Sequence, residues 1–186
     1  MREREAIHWR LVLLGPLGLI VLTVPLFVAL ARMTAQAPPP AAPRSWLEPV
    51  RSAEHALAEG NLGEAARAAR EAYRAALTSG QWPGMIEVGD LHLRLNDTTG
   101  ARTTARAQVR KAYLIALVRA RREGDLGGIL RAAESFAKLD DDEIVEHSLR
   151  IAAKVTAHGS PEAREMYRHA AERLRKRAAA PKPAAP

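Results

Sequence analysis

The run from Leu11 to Ala31, LVLLGPLGLIVLTVPLFVALA, constrains this chain more than any other stretch. It holds twenty-one residues, none ionisable, and Thr23 is its only polar side chain. As an α-helix at about 1.5 Å per residue it would extend roughly 30 Å, the thickness of a bilayer's hydrocarbon core. A helix satisfies its own backbone hydrogen bonds, so a transmembrane helix over 11–31 is the first expectation. The leader over 1–10, MREREAIHWR, ends in Trp9-Arg10. An interfacial Trp beside a snorkelling Arg is a usual anchor at one edge of a span. Arg2, Arg4 and Arg10 precede the run, and no base follows Arg32 until Arg44. The positive-inside rule then puts the N-terminus in the cytoplasm and the C-terminal part on the periplasmic side of an inner membrane. The rival reading is a cleaved signal peptide, since Ala29-Leu30-Ala31 has the small-x-small form of a cleavage site. Against it, the apolar core of a signal peptide is usually about 7–15 residues, shorter than this run. Cleavage would leave a secreted soluble protein.

Gly15, Pro16, Gly18 and Pro25 interrupt the apolar run. A proline inside a helix frees a carbonyl that needs another partner in lipid, and small residues let a second helix approach closely. These four residues are therefore the expected contacts with other membrane helices, although Gly and Pro are also common in such helices generally.

Residues 32–44 form a Pro/Ala-rich linker, and MTAQAPPPAAPR suits a polyproline II spacer better than a helix or a strand. At about 3.1 Å per residue its reach is on the order of 35 Å. Beyond it the composition changes. Hydrophobic residues make up 47% of the chain but aromatics only 4%, so the apolar content is largely Ala and Leu, which suits closely packed helices rather than a sheet. The absence of Cys excludes a disulfide framework and a thiolate nucleophile.

From Ser45 the punctuation is regular. Ser45-x-x-Glu48, Asn61-x-x-Glu64 and Asp140-x-x-Glu143 have the capping-box form, and Ser160-Pro161 places Pro at a first helical position. Gly60, Gly80, Gly124 and Gly159 stand where left-handed helix ends are wanted. The helices implied are 45–59, 62–79, 83–95, 98–123, 126–139, 141–158 and 160–177, with 98–123 left as one long helix or two. Their apolar positions recur with period 3.6, as in Leu62, Ala65, Ala66, Ala69, Ala72, Tyr73, Ala76 and Leu77. The expected fold is all-α: a helical domain over 45–177, followed by a flexible tail over 178–186.

Trp46, Ala53, Gly60, Asn61, Ala65 and Ala69 recur thirty-six residues later as Trp82, Gly89, Asn96, Asp97, Ala101 and Ala105. The stretch from Val88 to Ala101, VGDLHLRLNDTTGA, resembles the Leu-Gly-x-x-Tyr-x-x-x-Gly-x-x-x-x-Ala core of tetratricopeptide repeats. Gly60 to Ala65 and Gly124 to Ile129 are similar to that family's turn and second-helix start. His92 stands where an aromatic is usual, and the closing Pro is missing, so the resemblance is to a degenerate member. It implies stacked antiparallel helix pairs with a surface that holds a peptide or another protein. It implies an assembly role and no catalysis. Stacked pairs read from the residues alone point the same way, since they bury one face and offer a long groove on the other.

Chemistry is sparse. The six His make no His-Glu-x-x-His pattern, and neither a metal nor a cofactor is expected. Ser135-Phe136-Ala137-Lys138 matches the Ser-x-x-Lys string of penicillin-recognising enzymes without their Lys-Thr-Gly companion, so it reads as core helix. Asp140 to Glu143 reads as helix-start acids, because the spacing and central Gly of a calcium loop are missing. The charge pattern says more. The net charge is +7, and between Ala101 and Arg122 lie Arg102, Arg106, Arg110, Lys111, Arg119, Arg121 and Arg122 with no acid. Arg102, Arg106 and Arg110 form one helical stripe whose like charges repel by about 0.2–0.5 kcal/mol per pair. A second cluster holds Arg164, Arg168, Arg173, Arg175, Lys176 and Arg177.

These bases are either a solvated face neutralised by acids of neighbouring helices, or the face that meets an acidic protein surface or anionic lipid. On the second reading Arg102, Arg106, Arg110, Arg119, Arg121 and Arg122 are the partner-binding residues. Nucleic acid fits worst, since both clusters lack stacking aromatics. The expectation is a non-catalytic, single-span accessory or scaffold subunit of an inner-membrane complex that works through other proteins. The alternatives are a basic module for anionic lipid or a polyanion, and a secreted helical-repeat binding protein.

Overall fold

The computed structural model describes residues 44–99 and 102–180. The expected span over 11–31, Trp9-Arg10, the four Gly and Pro contacts within the span and the linker before Arg44 lie outside those residues. Among the described residues there are seven α-helices and no strand, and no helix is long and apolar enough to cross a membrane. They are α1 (Leu47–Ala58), α2 (Leu62–Ser79), α3 (Trp82–Thr99), α4 (Arg102–Glu123), α5 (Leu126–Lys138), α6 (Asp142–Thr156) and α7 (Pro161–Ala179).

Three of the turns share one construction. At the end of α1, Gly60 takes φ 74°, and the N–H groups of Gly60 and Asn61 return to the carbonyls of Leu57 and Ala56 at 3.0 and 2.8 Å. Asn61 then starts α2, its side-chain oxygen accepting from the Glu64 N–H at 3.2 Å. One short turn thus closes one helix and caps the next. Gly124-Asp125 repeats the device between α4 and α5, where the Asp125 carboxylate accepts from the Gly128 N–H at 3.0 Å. Asp140-Asp141 closes α5 in the same way, although Asp140 takes φ 53° without being glycine, a conformation Asp tolerates better than most.

Several expected boundaries move. Asp140 does not cap α6; Asp141 holds that position, and its carboxylate goes to Arg110 instead of to the helix N-terminus. At α1 the N-cap is Trp46, whose side chain makes no capping hydrogen bond, so Ser45 does not form the expected box. Gly159 does not take a left-handed φ; α6 stops at Thr156, and Gly159 packs against Thr156 and Ala163. No turn forms at Asn96-Asp97: α3 runs through both residues to Thr99 and buries Leu91 and Leu95 on the way. From Arg102 the chain forms a single helix, α4, of 22 residues.

Each helix packs on the next, and α1, α3, α5 and α7 also touch in series. The result is a helical-repeat-like array of adjacent helix pairs. Small residues set its spacing. α2 buries Ala65, Ala68, Ala69, Ala72 and Ala76, while an added Cβ on Gly89 of α3 would lie 2.3 Å from the Tyr113 ring of α4. The paired tryptophans join one pair to the next. Trp46, fully buried, lies over Gly84 and donates from Nε1 to Glu87 at 2.8 Å. Trp82 lies over Gly128 and donates to Asp125 at 2.9 Å. In both cases glycine is required because the indole fills the volume of a side chain: a Cβ there would sit 2.7 Å from the ring.

Candidate functional site

The arginines singled out in the sequence are divided among different neighbours. Arg106 donates to the Leu139 carbonyl, and Arg110 pairs with Asp141 at 2.7 Å, so both hold the α5–α6 turn. Arg119 donates to the carbonyls of Ala76, Leu77 and Gln81 at 3.0, 2.8 and 3.0 Å. The first two lie in the last turn of α2, where a guanidinium is favoured by the helix dipole, and the Ala76 carbonyl also accepts from the Ser79 hydroxyl at 2.8 Å. Arg121 and Arg122 are exposed in the last turn of α4, and Arg102 is the first residue of that helix. Much of the second cluster is also tied down: Arg168 to Glu165, Arg173 to Glu134 at 2.8 Å, Arg175 to Glu146 at 3.7 Å, and Arg164 to the Gly159 carbonyl at 3.2 Å.

An ordered set of ion pairs crosses the series of odd-numbered helices. Glu54 of α1 pairs with Arg94 of α3. Asp90 of α3 receives Lys138 and Arg131 of α5 at 2.7 and 3.7 Å, and also accepts from the Tyr113 hydroxyl at 2.6 Å. Glu134 of α5 receives Arg173 of α7. Glu54, Asp90 and Glu134 stand eight residues after Trp46, Trp82 and Leu126 respectively, so the acids keep a repeat register that the spacing of thirty-six and then forty-four residues conceals. Burial, with the Asp90 hydrogen bond and charge, pushes the Tyr113 phenol far above its ordinary range. Pairs this exposed each contribute about 0–1 kcal/mol, so their effect is on register more than on stability.

A different basic site remains. α2, α3 and α4 enclose a half-open cleft of about 250 Å³ lined by Arg70, Tyr73, Arg74, His92, Gln108 and Lys111. No acid is among its described lining residues, and Arg70, Arg74 and Lys111 have no ion-pair partner among the described residues. His92 of α3, half-buried, meets the Tyr73 ring edge-on at 6.4 Å, and burial holds its pKa below the usual histidine value. A second hollow of about 220 Å³ shares Arg70, His92 and Gln108 with the first and adds Leu62, Ala66, Ala69 and Leu95 together with the polar Asn96. The cleft therefore has a cationic end and an apolar end. Lys111 belongs to the base-rich stretch noted in the sequence, while Arg70, Tyr73, Arg74, His92 and Gln108 were not singled out as site residues. The available signal was Arg70 and Arg74 at i, i+4, but only the packing of α2 against α3 and α4 shows what they face.

The remaining motifs take structural places. Ser135 is fully buried and its hydroxyl has no hydrogen-bond partner among the described residues, while the Lys138 ammonium goes to Asp90. The Ser-x-x-Lys string thus brings no base to its serine. Among the described residues no three His, Asp or Glu side chains gather where they could hold a metal ion. Compared with protein-family models and with curated proteins, the chain matches none.

Proposed function

We propose that this chain is a non-catalytic accessory or assembly subunit of a larger inner-membrane complex, anchored by the 11–31 segment and presenting a degenerate tetratricopeptide-like domain on the periplasmic side. The observation that carries this reading is the join between successive helix pairs. Trp46 and Trp82 each leave their own pair to cover a glycine of the next, and acid–base pairs keep the same register. Arrays built by such nearest-neighbour contacts offer long surfaces to other proteins rather than an enclosed reaction chamber. The apolar run adds the membrane, and its Gly15, Pro16, Gly18 and Pro25 suit contact with partner helices.

Two measurements test the reading. The full chain, tagged at its C-terminus, is extracted from membranes in mild detergent and sized with whatever accompanies it. A defined membrane-protein partner in fixed ratio is expected, with the intact N-terminus found by sequencing the purified chain. A chain recovered alone from membranes overturns the subunit role, and a mature N-terminus beginning after Ala31 overturns the anchor.

A further inference from the structure

We propose that the cleft between α2, α3 and α4 is a docking site for an acidic segment of a partner protein, with carboxylates at Arg70, Arg74 and Lys111 and an adjoining apolar side chain over Leu62, Ala66 and Leu95. The inference deepens the subunit reading and rests on it for the source of the segment.

Charge accounting locates the site. Along the odd-numbered helices Glu54, Asp90 and Glu134 each meet a cation of the next odd helix, so that layer neutralises itself. On α4 the strongest basic stripe is likewise answered at Arg106 and Arg110 by the α5–α6 turn. In the cleft the balance differs: three cations converge from two helices, and no acid among the described lining residues answers them. Like charges placed together without a counter-charge repel, and an incoming anion removes that cost while gaining hydrogen bonds.

The surroundings select among anions. His92, Tyr73 and Gln108 supply polar groups between the cations, which suits planar carboxylates held at several points. The second hollow adjoins the first, with Arg70, His92 and Gln108 lining both, and its Leu62, Ala66, Ala69 and Leu95 are of no use to a free phosphate. An anionic bilayer presents a plane of headgroups, whereas these groups line recesses. A peptide carrying carboxylates beside a leucine-sized side chain satisfies both ends. Because Arg70, Arg74 and Lys111 are exposed, the contact is expected to weaken as salt rises through the range where exposed charges are screened.

The test uses the full chain in detergent micelles and an array of short fluorescent peptides, each carrying two glutamates and one leucine in varied order. At least one peptide should bind, with affinity falling about tenfold or more in R70A/R74A/K111A and unchanged in R150A/K154A, which removes exposed charge from α6. Circular dichroism confirms that both variants fold. Equal loss in both variants, binding undiminished when the glutamates become glutamines, or no bound member in the array overturns the proposal. Phosphatidylglycerol vesicles and inorganic phosphate are titrated in parallel. Capture of either one through the three cations in place of peptide also overturns it. Co-purification separates this from the subunit reading. If the partner stays with R70A/R74A/K111A, the docking assignment fails and the subunit role stands. If the wild type has no partner, the subunit role fails while the peptide titration still decides the cleft.

Discussion

Replacing Gly89 by alanine should destabilise the domain, although alanine is the better helix former. Gly89 lies inside α3, where Gly→Ala ordinarily gains about 1 kcal/mol. Its new Cβ, however, would stand 2.3, 2.7 and 3.2 Å from three ring atoms of Tyr113. That ring has nowhere to swing: its hydroxyl is held by Asp90 at 2.6 Å, and the Phe136 ring packs edge-on against it at 5.8 Å. Both aromatic side chains are fully buried. Overpacking a filled core costs about 1–3 kcal/mol, and a clash this close to an anchored ring belongs at the upper end. The net expectation is a loss of about 1–2 kcal/mol, or roughly 3–8 °C in Tm for a domain of this size.

Urea unfolding monitored by helical circular dichroism measures the loss, and two companions isolate its cause. Gly63→Ala meets nothing closer than 3.9 Å and should be neutral or slightly stabilising. In a Tyr113→Leu background the clash is removed, so Gly89→Ala should change from harmful to neutral or favourable, a coupling of about 1–3 kcal/mol. If Gly89→Ala is as stable as Gly63→Ala in the native background, the close approach of α3 to the Tyr113 ring is not what sets the spacing of this pair.

Three further outcomes rest on single side chains. Asp125→Ala removes both the cap on α5 and the acceptor for Trp82 Nε1, and should cost about 2 kcal/mol in urea unfolding, where a plain cap loss costs about 1. Ser135→Ala deletes a buried hydroxyl that has no partner among the described residues and should raise stability by up to about 1 kcal/mol; a loss would contradict an unbonded hydroxyl. His92 is held neutral in the fold by burial, facing Arg70, Arg74 and Tyr73 of α2 and Gln108 and Lys111 of α4. Its lowered pKa stabilises the fold fully above the unfolded value of about 6.5, and that contribution is lost as pH falls below it. His92→Gln should therefore lose less stability than the native chain between about pH 7 and pH 5, and parallel urea midpoints would contradict this.

Much of the fold was legible because helix ends carry their own chemistry. Gly60-Asn61 and Gly124-Asp125 each combine a residue tolerant of left-handed φ with a side chain able to cap, and both turns fall where the sequence places them. Asp140 misled for the same physical reason: Asp serves as a cap and also tolerates left-handed φ, and here it does the second. The recurrence of Trp46 as Trp82 was visible, but its purpose was not. Both indoles pack on the succeeding pair, and neither Gly84 nor Gly128 lies at a repeat position that the sequence alone marks. The acids at Glu54, Asp90 and Glu134 were hidden more thoroughly, since α4 runs to 22 residues and breaks the even period between them.

The basic stretch of α4 shows why charge is legible and charge placement is not. Arg110 and Lys111 are neighbours in sequence, and both belong to the same acid-free interval. At about 3.6 residues per turn, adjacent helical side chains point roughly 100° apart. Arg110 accordingly meets Asp141 in the α5–α6 turn, while Lys111 joins Arg70 and Arg74 beside His92. One residue of register separates a cation that holds the fold from one left to meet something else. Of the stripe at i, i+4 and i+8 that stands out most in the sequence, Arg106 and Arg110 are answered from within, by the Leu139 carbonyl and by Asp141. The cations of the cleft come instead from two helices, Arg70 and Arg74 from α2 and Lys111 from α4, so no single row in the sequence announces their meeting around His92.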